Sequence, residues 1–167
     1  MTSGGDFFAL FGLERSFDLD GEALSRRYRA LQAAAHPDRF AGCGNAEMQA
    51  AQTAASRIND GYRTLKSPLL RAAYMLSLEG VDALAETGAQ MSADFLMQQM
   101  EWRDALEELK GGDSSTLRAE VADAEKEVAA QAAKLLTDGA KLADEQKQQL
   151  ADVIRRWRYI GKMLAEL

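Results

Sequence analysis

Apolar side chains recur along most of this chain at the three- and four-residue spacing of amphipathic helices. In the first half, one apolar stripe ends at residue 35 and a second begins near residue 51, with a polar loop between them. The two stripes consist of Leu24, Tyr28, Leu31 and Ala35, and of Ala51, Ala54, Ala55, Ile58, Tyr62 and Leu65. Two apolar helix faces joined by a short loop pack antiparallel, so this region predicts a helical hairpin. The apolar segment at residues 7–13 is expected to close its open side.

Capping residues indicate where these helices begin and end. Asp20 is a plausible N-cap for the first long helix, and Pro37 stops it. A further apolar helix follows the hairpin, with Ser67 as its cap, Pro68 at its first position and Gly80 at its end.

Three more amphipathic segments fill the second half, at about residues 92–110, 115–136 and 144–167. Ser92 is the expected N-cap of the first, and Gly111-Gly112 breaks it. Short loops between three such helices predict an antiparallel three-helix bundle. The fold class is therefore all-α, with an N-terminal helical domain at residues 1–79, a linker at 80–90 and a C-terminal bundle at 91–167.

The first helix of the bundle has more apolar surface than one packed face can use. At about 100° per residue, one stripe is expected to enter the core and a second to lie on another side. The core stripe is Phe95, Trp102, Leu106 and Leu109, and the second group is Leu96, Met97 and Met100, edged by Glu101 and Asp104. On the last helix Tyr159 is expected to face away from the core beside Arg155 and Lys162. Exposed methionines and an exposed aromatic residue rimmed by charge indicate a protein-binding patch. The alternative is that the second group packs against the N-terminal domain.

The tripeptide His36-Pro37-Asp38 contains the only histidine of the chain and one of its two prolines. The hairpin would carry it at an exposed tip, followed by Arg39. The helix before it presents Arg26, Arg27 and Arg29 to solvent, which is either an ordinary solvated face or a dock for an acidic partner surface. Their position beside His36 favours the dock.

Catalytic patterns are weak in this sequence. A dyad of Cys43 and His36 is conceivable, but Cys43 lies between glycines with no evident orienting group. Metal ligands with recognisable spacing and a glycine-rich phosphate loop are both missing from the sequence. We therefore expect no enzymatic activity, no metal site and no cofactor.

Composition and charge limit the partners further. The chain is 47% apolar and 28% charged, which is ordinary for a globular protein. Residues 1–80 hold nine basic and nine acidic residues and residues 81–167 hold 11 and 17, so the net charge of −6 lies entirely in the second half. This balance disfavours nucleic-acid binding. With no apolar run of membrane length, no signal-peptide pattern and one cysteine, we expect a cytoplasmic protein without a membrane span.

The N-terminal pattern resembles the J domain, through which DnaJ-type co-chaperones stimulate the ATPase of DnaK-type chaperones. A bare His-Pro-Asp more often marks an ordinary turn, but here both flanking helices and the spacing agree. The matching residues are Phe8-Ala9-Leu10-Phe11-Gly12-Leu13, Leu24, Tyr28, Leu31, His36-Pro37-Asp38-Arg39-Phe40, Ile58-Asn59 and Tyr62 to Leu65.

The rest of the chain resembles the HscB family, the J-domain co-chaperones of iron-sulfur cluster biogenesis. The residues that carry the likeness are Pro68-Leu69-Leu70-Arg71-Ala72, Tyr74, Leu76-Ser77-Leu78, Phe95-Leu96-Met97 and Arg155 to Met163. Two departures stand out. Ala33-Ala34-Ala35 replaces bulkier, more basic residues before the tripeptide, and the first five residues lack metal-binding cysteines, which is typical of the bacterial form.

The resemblance implies a co-chaperone with two binding ends. Arg26, Arg27, Arg29, His36, Pro37, Asp38 and Arg39 would contact a DnaK-type chaperone of the HscA kind. The group Leu96, Met97, Met100, Glu101, Asp104 and Tyr159 would bind an IscU-type iron-sulfur scaffold. The alternatives are a general J protein for unfolded chains and a passive helical adaptor.

Overall fold

The structure is a computed structural model that describes residues 5–85, 91–137, 139 and 141–167. These residues form seven α-helices and one 3₁₀ turn, and no strand occurs among them. The helices are α1 (Phe7–Leu10), α2 (Gly21–Ala35), α3 (Asn45–Lys66), α4 (Pro68–Leu78), α5 (Ala93–Leu109), α6 (Ser115–Leu136) and α7 (Asp144–Glu166), and the 3₁₀ turn is Pro37–Phe40. The all-α prediction and the expected helix order are confirmed.

The caps show why the helices start where they do. The carboxylate of Asp20 accepts hydrogen bonds from the backbone N–H groups of Glu22 and Ala23, as an N-cap should. Ser92 caps α5 by accepting from Phe95, and Ser67 accepts from the N–H of Leu70 at the start of α4.

The chain divides into two compact units, Met1–Arg71 and Ala72–Leu167. The division lies inside α4, earlier than the domain end expected at residue 79. From Ala72 onward α4 contributes buried side chains, among them Met75 and Leu76. Of the linker expected at 80–90, residues 86–90 lie outside the described part of the chain.

The first unit is built on the α2–α3 hairpin, with α1 packed on α3. Phe8 and Phe11 are 1% exposed, so the N-terminal apolar segment does join the core. Gly61 allows the close approach, because a Cβ there would lie 3.0 Å from the rings of Phe7 and Phe11. Ala54, expected on the packed face, is exposed, whereas Ala51 and Ile58 are buried.

A buried arginine, Arg71, forms a hydrogen bond with the C-terminal end of α3. The guanidinium of Arg71 donates to the backbone carbonyl of Leu65 at 2.7 Å and lies 5.1 Å from the ring centroid of Phe17. Burial lowers the pKa of Arg71, against an opposing effect of Asp18. The hydrogen bond satisfies a carbonyl that the end of the helix leaves without an intrahelical partner.

The second unit contains the three helices expected for the bundle, and α6 packs closely along α7. Its core is formed by Phe95, Trp102, Leu117, Val121, Val128, Leu150, Ile154, Trp157 and Ile160. At the C-terminal end of α6, Leu136 is buried and its neighbour Leu135 is only partly buried.

Candidate functional site: an exposed histidine turn and an apolar helix face

His36 lies where α2 ends and the 3₁₀ turn begins. Its backbone is extended, which places the following proline outside α2. The ring Nδ1 accepts a hydrogen bond from the backbone N–H of Asp38 at 3.2 Å. Since an accepting nitrogen carries no proton, the neutral imidazole holds its proton on Nε2. With 59% of the side chain exposed, that N–H is a donor available to a partner.

The carboxylate of Asp38 is almost fully exposed, and its Oδ2 lies 3.5 Å from Nδ1 of His36. Arg39 is also exposed, and its guanidinium donates to the carbonyl of Ala33 at 3.4 Å. A cation at this position satisfies a terminal carbonyl of α2 and favours its helix dipole. Pro37 is partly buried. The tripeptide is therefore an ordered, solvent-facing turn.

The basic residues of α2 lie where the sequence placed them, since Arg26, Arg27 and Arg29 are all exposed. No ion pair involves any of the three among the described residues. Helix α2 and the turn that follows it together present four arginines and a histidine to solvent. The structure thus brings together the residues predicted for chaperone binding; the partner itself remains a prediction.

Aromatic and polar side-chain contacts hold α2 against α3. The hydrophobic pattern of the sequence did not predict them. The rings of Tyr28 and Tyr62 stack with centroids 3.9 Å apart. Asn59 Oδ1 accepts from the hydroxyl of Tyr28 at 2.9 Å and from the amide of Gln32 at 3.0 Å. These contacts fix the register of the helix that ends at His36. The available signal was the spacing of four residues between Tyr28 and Gln32, which places both on one helix face.

Helix α5 separates its apolar side chains onto two sides, as expected. Phe95 is 6% and Trp102 1% exposed, whereas Leu96 is 46%, Met97 61% and Met100 65% exposed. Glu101 and Asp104 beside them are exposed, and Leu106 and Leu109 are partly buried. We call Leu96, Met97 and Met100 the α5 face. They are the only large hydrophobic residues recorded as exposed within the described part of the chain.

The buried side of α5 is attached to both other helices of the bundle. The indole N–H of Trp102 donates to Glu120 of α6 at 2.8 Å. Phe95 meets the rings of Trp102 and Tyr159 edge to face, with centroids 6.4 and 5.8 Å apart. These contacts hold α5 with its methionines outward.

Tyr159 is only partly exposed, which corrects the expectation of a solvent-facing aromatic residue. Phe95 and Arg103 of α5 contact it, and the hydroxyl of Tyr159 accepts from Arg103 Nε at 3.3 Å. Arg103 also makes a two-pronged ion pair with Glu166. The hydrogen bond from Arg103 lowers the pKa of Glu166, and the same bond, together with Tyr159, raises the pKa of Arg103. Angular reasoning along α7 missed this because the contacts come from another helix.

The described residues were also compared with the requirements of a reactive thiol site, a metal site and a membrane span. Cys43 is an exposed, free thiol, and no group of three or more potential metal ligands occurs among those residues. None of the described helices is long and apolar enough to cross a membrane. Two exposed surfaces are therefore the candidate binding sites: the His36 turn with the arginines of α2, and the α5 face.

A helical hairpin with an exposed His-Pro-Asp turn, followed by a three-helix bundle, defines an all-helical J-domain co-chaperone. Comparison with known proteins agrees. Residues 91–167 match the family model described as the HSCB C-terminal oligomerisation domain. A co-chaperone protein HscB homolog of Shewanella loihica is 39% identical, over 97% of this chain and 95% of the relative. This chain belongs to the HscB family of co-chaperones.

Solved structures give the same result for the fold. The chaperone HscB from Vibrio cholerae has a TM-score of 0.80 at 36% identity, over 97% of this chain and 94% of that one. The human co-chaperone protein HscB has a TM-score of 0.83 at 26% identity, over 99% of this chain and 82% of that one.

Proposed function

We propose that this chain stimulates ATP hydrolysis by a DnaK-type chaperone of the HscA kind and delivers an IscU-type iron-sulfur scaffold to it. By doing so it aids the assembly and transfer of clusters and the maturation of iron-sulfur proteins. It acts by binding, without catalysis of its own, in the cytoplasm. The observation that carries the proposal is the ordered, exposed His36 turn at the end of a helix with three exposed arginines.

The surface that would bind the chaperone acts through the positive charge of α2 and through one oriented hydrogen-bond donor on His36. Arg26, Arg27 and Arg29 attract an acidic surface and raise the rate of encounter. The N–H of His36 Nε2 then donates to an acceptor on the chaperone, while the N–H of Asp38 holds the ring in place. Because binding must favour one chaperone state over another to shift the ATPase cycle, oriented contacts are needed as well as attraction.

The scaffold end is the α5 face with its acidic edge, Glu101 and Asp104. Exposed methionines adapt to a partner surface, and an apolar centre rimmed by charge has the anatomy of a protein interface. Tyr159 contributes here by supporting Phe95 and Arg103 from α7. Since both ends lie in one chain, a scaffold bound at one end has a raised effective concentration near the chaperone bound at the other.

ATP turnover of an HscA-type chaperone, with and without scaffold, tests the proposal. We expect His36→Gln to abolish stimulation and to leave scaffold binding unchanged. Glutamine keeps an acceptor for the N–H of Asp38, and the site supports no core, so the free energy of unfolding should change by less than about 0.5 kcal/mol.

Arg63→Gln is the matched control, since Arg63 is an exposed cation of α3 that pairs locally with Asp60. Full stimulation by His36→Gln would refute the chaperone role. Equal stimulation of a general DnaK-type chaperone, without a scaffold effect, would instead identify a J protein for unfolded chains. No stimulation by the wild-type chain would leave only the passive adaptor.

A further inference from the structure

A row of cations runs along one face of α7. Arg155, Arg158 and Lys162 are separated by three and four residues, which places them on the same side of the helix, together with Tyr159. They border a cleft of about 250 Å³, completed by Ala83, Ala85 and Met91. We call this the basic cleft. It lies wholly within the second unit of the chain.

The cleft is positively charged, whereas the unit around it has a net negative charge. Residues 81–167 contain 17 acidic and 11 basic residues, yet among the described residues every charged side chain that lines the cleft is basic. The ion pairs of α7 in the described residues involve Lys147, Arg156 and Glu166, and none involves a cleft cation. Like charges held close together repel one another, so an anion that enters between them is attracted by all three.

One of the three cations is fixed by the fold. Arg158 donates to the backbone carbonyl of Leu84 at 3.1 Å, which positions its guanidinium at the wall of the cleft. The side chains of Arg155 and Lys162 make no hydrogen bond among the described residues. Their charged groups are thus available to a carboxylate, with which they form short, charge-assisted hydrogen bonds.

Two residues in the wall of the cleft contact side chains of α5 that neighbour the α5 face. The thioether of Met91 accepts a hydrogen bond from the amide of Gln99 at 3.0 Å, and Gln99 neighbours Leu96 on the surface of α5 because the two are three residues apart. Tyr159, in the opposite wall, contacts Phe95 and Arg103 of the same helix. A protein that covers the α5 face would therefore reach the cleft at its border.

We propose that the basic cleft receives an acidic side chain of the scaffold protein whose apolar surface covers the α5 face. This inference rests on the function proposed above and adds a second, electrostatic contact to it. Glu101 and Asp104 make one edge of α5 acidic, whereas the cleft on α7 is basic, so a partner that covers the α5 face meets charges of opposite sign at the two places. A scaffold with the matching pair of charges can bind in one orientation, because the reversed one places like charges together.

Calorimetric titration of the full chain with an IscU-type scaffold tests the proposal. The variant Arg155→Glu/Lys162→Glu should bind roughly tenfold more weakly or worse, because a carboxylate in the cleft then meets two like charges. The difference in affinity between this variant and the wild type should narrow as the ionic strength rises, because salt screens the attraction in the wild type and the repulsion in the variant.

The matched control is Arg118→Glu/Lys134→Glu, which makes the same change in net charge at two exposed cations of α6. We expect this control to bind within about twofold of the wild type. If charge reversal in the cleft lowers the melting temperature, Arg155→Gln/Lys162→Gln removes the charges without new carboxylates and should still weaken binding more than a glutamine control at Arg118 and Lys134.

A charge swap identifies the occupant. Acidic residues on the scaffold surface are changed one at a time to lysine, and one of them should restore binding to the Arg155→Glu/Lys162→Glu variant. The inference would be overturned if the cleft and control variants bound the scaffold with equal affinity, or if no lysine substitution on the scaffold restored binding. Binding of the scaffold to the α5 face could still hold in either case. Absence of scaffold binding by the wild-type chain would overturn the proposed function itself, so the two failures are distinguishable.

Discussion

At the scale of single residues, His36 depends on its immediate neighbours. The sequence identified the tripeptide and its exposure, since a proline after a helical stripe forces the chain out of the helix. It could not reveal that the N–H of Asp38 occupies Nδ1 of His36 and leaves the proton on Nε2, because that depends on the backbone angles of a four-residue turn. The same limit applies to Tyr159, whose partners Phe95 and Arg103 are brought to it by another helix.

The arginines of α2 provide a test at the same scale. Reversing the charge of Arg26 and Arg29 should weaken chaperone docking several-fold at low salt and much less at high salt, because exposed charges are screened within about 10 Å at 0.1 M salt. The measurement is the chaperone concentration at half-maximal ATPase stimulation, at two ionic strengths.

Arg63→Glu serves as the control, as it changes an exposed cation of the same unit that already has a local partner. Both α2 positions are exposed, so the melting temperature should stay unchanged. A loss of docking that is equal at low and high salt would contradict the electrostatic interpretation.

At the scale of helices, α5 was the element that sequence reasoning described best. Its two apolar stripes were separated by the helical period alone, and Trp102 is buried while Met97 and Met100 are exposed. The hydrogen bonds of Asn59 to Tyr28 and Gln32 were not predictable in this way, because they join side chains of two helices that are more than 25 residues apart in the sequence. Periodicity assigns a face to each residue, whereas the partner across the interface depends on packing.

The contrast between the two sides of α5 can be measured. Met97→Ser/Met100→Ser should weaken scaffold binding by about 1 to 3 kcal/mol, because apolar anchors dominate such interfaces, and should leave the melting temperature unchanged. Trp102→Ser/Leu106→Ser should instead unfold the second unit, since loss of a fully buried indole leaves a cavity that costs several kcal/mol. Calorimetry and thermal melts of both variants decide the matter. A methionine variant that melts early yet binds normally would show that the two faces are assigned the wrong way round.

At the scale of the whole molecule, the chain places two binding surfaces of different character in two compact units. The first unit carries the exposed basic helix and the His36 turn, and the second carries the apolar α5 face and the whole of the acidic excess. Linking two binding modules raises the effective concentration of one partner near the other. The central claim is that scaffold-dependent stimulation requires both surfaces on the same molecule.

A mixing experiment tests that claim most directly. ATP turnover of the HscA-type chaperone is measured with scaffold held below the concentration of the co-chaperone, using the wild-type chain, His36→Gln, Met97→Ser/Met100→Ser, and an equal mixture of the two variants. The wild type should show scaffold-dependent stimulation. The co-chaperone concentration is set between the scaffold dissociation constants of the wild type and of the methionine variant. The mixture should then show only the scaffold-independent stimulation of the methionine variant, because the molecules that hold the scaffold lack His36 and the molecules that have His36 are largely free of scaffold. Scaffold-dependent turnover in the mixture at the wild-type level would contradict the account.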